Sequence, residues 1–448
     1  MKADPYIITG QTIKEPPTTF TGRLHFLGPG FILSASIVGS GELIATTVLG
    51  AKAGFTALWI ILISCLAKVA VQLEFGKHAI LTGETSVKGF NKLVGLRVRK
   101  VNWALWLYFI LQTMKIVQLG GILGGTAVVL HLLFPFVPVE GWAPLTAIFS
   151  ALLIYNGKYS LVEKISLAMI ASFTVLTISA VFSLQFTSFR FSLNDILSGL
   201  NFNLKPETVA VAFGAFGITG VASDEIIAYN YWCIEKGYAA YAGPREENEK
   251  WKARAQGWIE VMYLDAIVAM IIYTMVTVAF YILGAAVLHG REVIPQGNGV
   301  IETLALIYTQ SLGNGVRIIY LVGAFFVLFS SVYATLAAWT RIFPDIMGTF
   351  GWIDFADLTQ RKKWMTILSF FFPAVWVIMY LYIQLPVVMV LSGGIIGSVM
   401  LLLVVVAALD FKYRRSPHWK AGWFYNLIFW VSVSSILFVA MYGLWKSI

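Results

Sequence analysis

Charge is what this chain of 448 residues has least of: Asp, Glu, Lys and Arg make up 12% of it, against 58% hydrophobic residues. Soluble domains carry about a quarter charged residues, so a water-soluble globule is excluded. Cysteine is nearly absent. Cys65 and Cys233 both fall inside apolar stretches, and no disulfide framework follows from them. The five histidines (His25, His78, His131, His289, His418) stand at the ends of apolar runs or between them, and no pair has metal-ligand spacing. Nucleophile elbow, phosphate loop and metalloprotease motif are all missing. An enzyme reading has no residues to stand on, and no cofactor is expected. The net charge of +9 does not point to nucleic acid, because Lys and Arg collect in alternate loops.

What the chain does have is length without charge. The segments Ile165–Phe189, Ala266–Gly290, Ile318–Thr340 and Ala421–Trp445 contain no ionised side chain, and Trp364–Leu409 runs for 46 residues. The last is enough for two membrane spans of about 20 residues each, with Gln384-Leu385-Pro386 as the turn. Apolar faces all round, with aromatics near the ends, read as membrane helices. Eleven spans result, at about 27–50, 54–79, 103–131, 142–156, 161–184, 207–233, 258–288, 315–341, 364–382, 386–409 and 421–445. The stretch before them, residues 1–23, is polar, lacks a signal-peptide pattern and reads as a short cytosolic tail. The loop Lys236–Gln256 is the longest polar connection, and Ile294–Leu312 reads as an outer loop with an amphipathic half-helix.

Basic residues fix the orientation. One set of loops carries Lys88, Lys92, Arg97, Arg99 and Lys100, then Lys158, then Arg245 to Arg254, Arg361 to Lys363, and Lys412 to Lys420. The opposite loops hold little beyond Lys52, Arg190, Lys205 and Arg291. The positive-inside rule places the N-terminus in the cytosol and, with an odd count, the C-terminus outside. The expectation is a multi-pass protein of the inner or plasma membrane, monomeric, in contact with the lipid bilayer and with no nucleic-acid partner.

Two of the spans are broken by glycines and acids. The first contains Gly39-Ser40-Gly41-Glu42 and the sixth contains Gly217-Ile218-Thr219-Gly220-Val221-Ala222-Ser223-Asp224-Glu225. A carboxylate near the bilayer midplane costs roughly 2.5–3.5 kcal/mol on insertion scales, and irregular backbone there is tolerated only around a protein-walled cavity. Broken helices in matching halves mark a substrate site between inverted repeats. Five-plus-five repeats over about 24–184 and 206–409 follow, with 421–445 as an additional helix, all in one transporter domain, 24–448.

Several side chains in these spans can carry chemistry. Glu42 is either a site carboxylate or the partner of a buried lysine, Lys68 or Lys115. Asp224 and Glu225 are adjacent, so one or both face the cavity, and two carboxylates sharing a cavity can hold one proton between them. Lys115 is either the counter-ion of a site acid or part of a coupling or ion path, together with Lys68 and Gln118. Gly120-Gly121 and Gly124-Gly125 read as close helix packing. Glu74 and Lys77 lie one turn apart and read as a local ion pair, and Asp265 is a weaker ion-path candidate.

With these residues in view, the chain resembles the Nramp family (natural resistance-associated macrophage proteins), proton-coupled divalent metal transporters with a LeuT-like fold. The resemblance rests on Leu27-Gly28-Pro29-Gly30, on Ala51 to Gly54, on Leu81-Thr82-Gly83, on the turn Gly157-Lys158-Tyr159-Ser160-Leu161-Val162-Glu163, and on Leu328-Phe329-Ser330-Ser331-Val332-Tyr333 with Leu336-Ala337. It implies an all-α membrane protein with its first and sixth helices unwound at the midplane. The family's metal site does not carry over. Its first-helix Asp-Pro-Gly-Asn is Gly39-Ser40-Gly41-Glu42 here, and its sixth-helix Met-Pro-His falls on Asp224-Glu225-Ile226. The third-helix acids fall on Gln118 and Gly121, and the tenth-helix glutamine on Gly393.

Two readings of the rebuilt site follow. In one, Glu42 and Asp224 or Glu225, with the backbone at Gly39, Gly220 and Val221, bind a small hard cation such as magnesium or manganese, with Glu42 and Asp224 as its metal ligands. Loss of the thioether removes selection for soft metals. In the other, Val38-Gly39-Ser40-Gly41 resembles the Gly-Ser-Gly turn of amino acid–polyamine transporters, and Gly39, Gly41, Gly393 and Gly394 make room for a small organic substrate whose carboxylate meets half-helix amides.

Overall fold

The computed structural model describes residues 4–39, 41–289, 314–416, 419 and 422–447. Ser40, the segment Ile294–Leu312 and Lys420 therefore lie outside the described residues. The molecule is a bundle of α-helices: α1 (Pro29–Ile37), α2 (Thr47–Ala53), α3 (Leu58–Ala67), α4 (Val69–Thr82), α5 (Trp103–Met114), α6 (Ile116–Leu133), α7 (Val139–Ile154), α8 (Tyr159–Leu184), α9 (Val209–Ile218), α10 (Ser223–Lys236), α11 (Glu249–Val287), α12 (Asn314–Thr349), α13 (Leu358–Ile383), α14 (Pro386–Leu409) and α15 (Trp423–Ser447). Each of the eleven expected spans coincides with one helix or with an interrupted pair. Seven stretches among the described residues are long and apolar enough to cross a membrane.

Local chemistry sets the ends. Pro29 and Pro386 sit in the first turn of α1 and α14, where their missing N–H costs nothing. Asn102, Asn248 and Asp357 accept backbone N–H groups at the starts of α5, α11 and α13. Gly83 and Gly237 close α4 and α10 in the left-handed conformation that glycine tolerates. Two differences from the sequence reading concern α11 and α5. Helix α11 begins at Glu249, inside what reads as a polar loop, because the Asn248 side chain caps Trp251 N. The third span is two helices meeting at Lys115, which ends α5 and starts α6.

The glycine pairs of α6 are a packing device. A Cβ at Gly120 would meet Met389 Cε and the Trp376 carbonyl at 2.9 Å, and one at Gly124 would overlap the Tyr380 ring. Helix α6 can therefore lie directly on α13 and α14. Outward faces are apolar: Val175, Phe182, Ile378, Tyr382, Ile395 and Phe438 are exposed. A soluble monomer would rarely leave so much apolar surface in water, whereas lipid accepts it.

Candidate functional site

Both glycine-rich segments are interrupted helices. Helix α1 stops at Ile37, Val38 turns away with ψ of 77°, and a π-helical turn follows over Gly41–Thr46 before α2. Helix α9 stops at Ile218, and the chain passes through Thr219 in an extended conformation and Gly220 at φ of +65° before α10 begins at Ser223. Glu42 consequently sits inside the π-turn. Asp224 and Glu225 occupy the first turn of α10, where the positive end of the helix favours negative charge.

The two interruptions are tied to each other by Glu42. Its Oε1 accepts the Gly220 N–H at 3.0 Å, while Oε2 is buried with no hydrogen-bond partner. Among the described residues neither lysine pairs with it. Lys68 instead donates from Nζ to the carbonyls of Phe216 and Thr219, at 2.8 and 2.6 Å, with Ser64 Oγ donating to the same two oxygens. These are carbonyls at the C-terminal end of α9, so Lys68 acts on the negative end of a half-helix. Lys115 forms an ion pair with Asp224 Oδ2.

Asp224 and Glu225 both line one cavity of about 50 Å³, with Ser36, Lys115, Gln118, Gly217, Gly220, Ser331 and Gly393 among its walls. Glu225 Oε1 accepts from Ser36 Oγ at 2.9 Å, whereas Glu225 Oε2 and Asp224 Oδ1 are buried without a partner. A smaller cavity of about 10 Å³ continues along α10 past Ala228 to Trp232, with Gln112 on its wall. At ~10–15 Å³ per water, the main cavity has room for an ion with a few waters. Its donors are carboxylate, amide and hydroxyl oxygens, and no sulfur or imidazole is among its lining residues. No group of three His, Cys, Asp or Glu side chains converges among the described residues.

Glu42, Val221 and Gly39 are not among the lining residues of these cavities. Gly39 instead permits a close approach between helices, since a Cβ there would overlap Ser331 Oγ, which donates to the Ser36 carbonyl at 2.9 Å. Asp265 is away from the cavity and accepts the N–H groups of Gly28 and Gly30, at 2.8 and 2.6 Å, and the Tyr229 hydroxyl at 3.0 Å. It thereby caps the start of α1. Sequence reasoning did not single out Ser36, Ser331, Ser64 or Thr219. Ser36 lies three residues before Gly39 and Ser331 within the small-residue stretch of α12, and position alone marks neither.

A family model described as natural resistance-associated macrophage protein-like matches residues 30–446. An uncharacterized protein of Pasteurella multocida is 25% identical over 354 residues, which cover 75% of this chain and 73% of that protein. A divalent metal cation transporter, MntH, of Mesorhizobium japonicum is 26% identical over 329 residues, covering 71% of this chain and 67% of the relative. Among solved structures, a variant of the manganese transporter of Eremococcus coleocola superposes with a TM-score of 0.73 over 98% of this chain and 90% of its own. At 15% identity that likeness speaks to the fold alone.

Proposed function

The chain belongs to the Nramp-like family, and from that premise we propose that it is a secondary active transporter carrying a small hard divalent cation, magnesium or manganese, by alternating access through the cavity between its two interrupted helices. The observation that carries the reading is the pair of buried, unpartnered carboxylate oxygens, Asp224 Oδ1 and Glu225 Oε2, on one small cavity. Carboxylate oxygens left without a partner away from water are costly, and a cation removes that cost. Oxygen donors suit magnesium, calcium and manganese, and magnesium in particular is held by one or two carboxylates while keeping waters. The relative named as a divalent metal cation transporter supports cation cargo on this scaffold.

Glu42 links the two interruptions through the Gly220 N–H, while the carboxylates that line the cavity are Asp224 and Glu225. A proton link draws support from Asp224 and Glu225 on one cavity, since like charges so placed share protons. The reading includes inverted repeats over about 24–184 and 206–409, a single subunit, and a cytosolic N-terminus with the C-terminus outside, as the loop charges support.

Calorimetry on the purified protein tests the metal class. Magnesium or manganese is expected to bind at least as tightly as cadmium, because the thioether that selects soft ions is missing. Micromolar cadmium binding that a chelator abolishes, with none for magnesium, would overturn the proposal.

A further inference from the structure

Lys115 occupies an oxygen that the cargo needs. Its side chain is 3% exposed, and its ammonium is paired with Asp224 Oδ2 on the wall of the cavity. Three further oxygens are buried with no partner: Asp224 Oδ1 and Gln118 Oε1, whose residues line the same cavity, and Ser223 Oγ, which borders Gly397 as the ammonium does. An orphaned acceptor beside an ammonium is a place for the ammonium to go. The space for that movement is provided by Gly397. A Cβ there would lie 3.4 Å from Lys115 Nζ and 3.6 Å from Ser223 Oγ, so the missing side chain leaves a gap bordered by both groups. Gln118 stands one turn along from Lys115 on the same cavity. The break between α5 and α6 falls on Lys115 itself.

We propose that Lys115 is a tethered cation that occupies Asp224 when no cargo is bound and moves, still charged, onto Ser223 Oγ and Gln118 Oε1 when cargo takes Asp224. The inference rests on the reading of Asp224 as a cargo ligand. Lysine and cargo then compete for one carboxylate. Asp224, Glu225 and Lys115 sum to a formal charge of −1, and replacing the lysine with a neutral side chain makes it −2. The ammonium thus holds cargo affinity down, and its return to Asp224 expels the ion.

Lys115 is in these terms a positioning and specificity residue, and its signature is a split between affinity and turnover. In calorimetry with magnesium and manganese chlorides, Lys115→Met is expected to bind about tenfold tighter than wild type or better, the scale of close charge-pair couplings. In proteoliposomes the same variant should show a lower KM and a lower maximal rate. Lys115→Arg should bring the affinity back toward wild type, and in an Asp224→Asn background Lys115→Met should change little. Gly397→Val, which fills the gap, should weaken binding, and it tests the idea independently where Lys115→Met does not fold. Wild type that binds while a folded Lys115→Met binds no tighter overturns the lysine's role and leaves the cargo reading intact. Wild type that binds neither ion overturns the cargo reading, and the inference falls with it.

Discussion

Glu42 makes one hydrogen bond and leaves one oxygen bare, and that imbalance defines what its replacement should do. The amide oxygen of Glu42→Gln can still accept the Gly220 N–H, so the bracket between the two interruptions survives. What is lost is a carboxyl oxygen that can take up and release a proton. Leaving a buried polar partner unsatisfied costs about 1–3 kcal/mol, so uptake should fall by roughly ten- to a hundredfold while expression and melting temperature hold. Uptake at the wild-type rate would make Glu42 a purely structural link, with the site resting on Asp224 and Glu225. These three acids were legible in the sequence because each stands beside glycines in an otherwise apolar span. The partner of Lys68 was not. Lys115 reads as the counter-ion of a site acid or an ion-path residue, and it pairs with Asp224, whereas Lys68, a candidate partner for Glu42, finds backbone carbonyls at the end of α9. Ser36 and Ser331 carry no sequence signal, since a lone hydroxyl in a membrane helix usually bonds its own backbone.

At the scale of elements, the first interruption is held by contact with α12. Gly39→Ala should push Ser331 aside, because the added Cβ would overlap Ser331 Oγ, and uptake should drop sharply in a protein that still inserts. Adding Ser331→Gly should restore part of it. No restoration in the double variant would place the role of Gly39 in its own backbone rather than in this approach. The interruptions themselves could be read from glycine and acid spacing. Their detail could not, because the π-turn at Gly41–Thr46 and the exact restart of α10 at Ser223 depend on what packs against them. The polar stretch from Glu249 reads as loop by charge, and only the cap at Asn248 and the packing of Trp251 and Arg254 make it helix.

For the whole molecule, the loop charges and the paired interruptions are independent of each other and imply the same inverted topology. The N-terminal segment, which reads simply as a polar tail, is bound to the bundle: the Tyr6 hydroxyl donates to Glu235 at 2.8 Å and Arg361 donates to Asp4 at 2.6 Å. Orientation is checked by impermeant maleimide on intact cells. Asn194→Cys, in the loop before the sixth span, is expected to label from outside, and Arg99→Cys, in the basic hairpin after the second, only after permeabilisation. The reverse pattern would invert the assignment. Cation transport through the cavity between the interrupted helices is measured by flux into proteoliposomes. Magnesium, manganese, calcium, cadmium and a panel of amino acids would be offered, each with and without a pH gradient. Saturable magnesium or manganese uptake, lost in Asp224→Asn with Glu225→Gln, is the predicted result. Amino acid uptake with no flux of any divalent cation would contradict it.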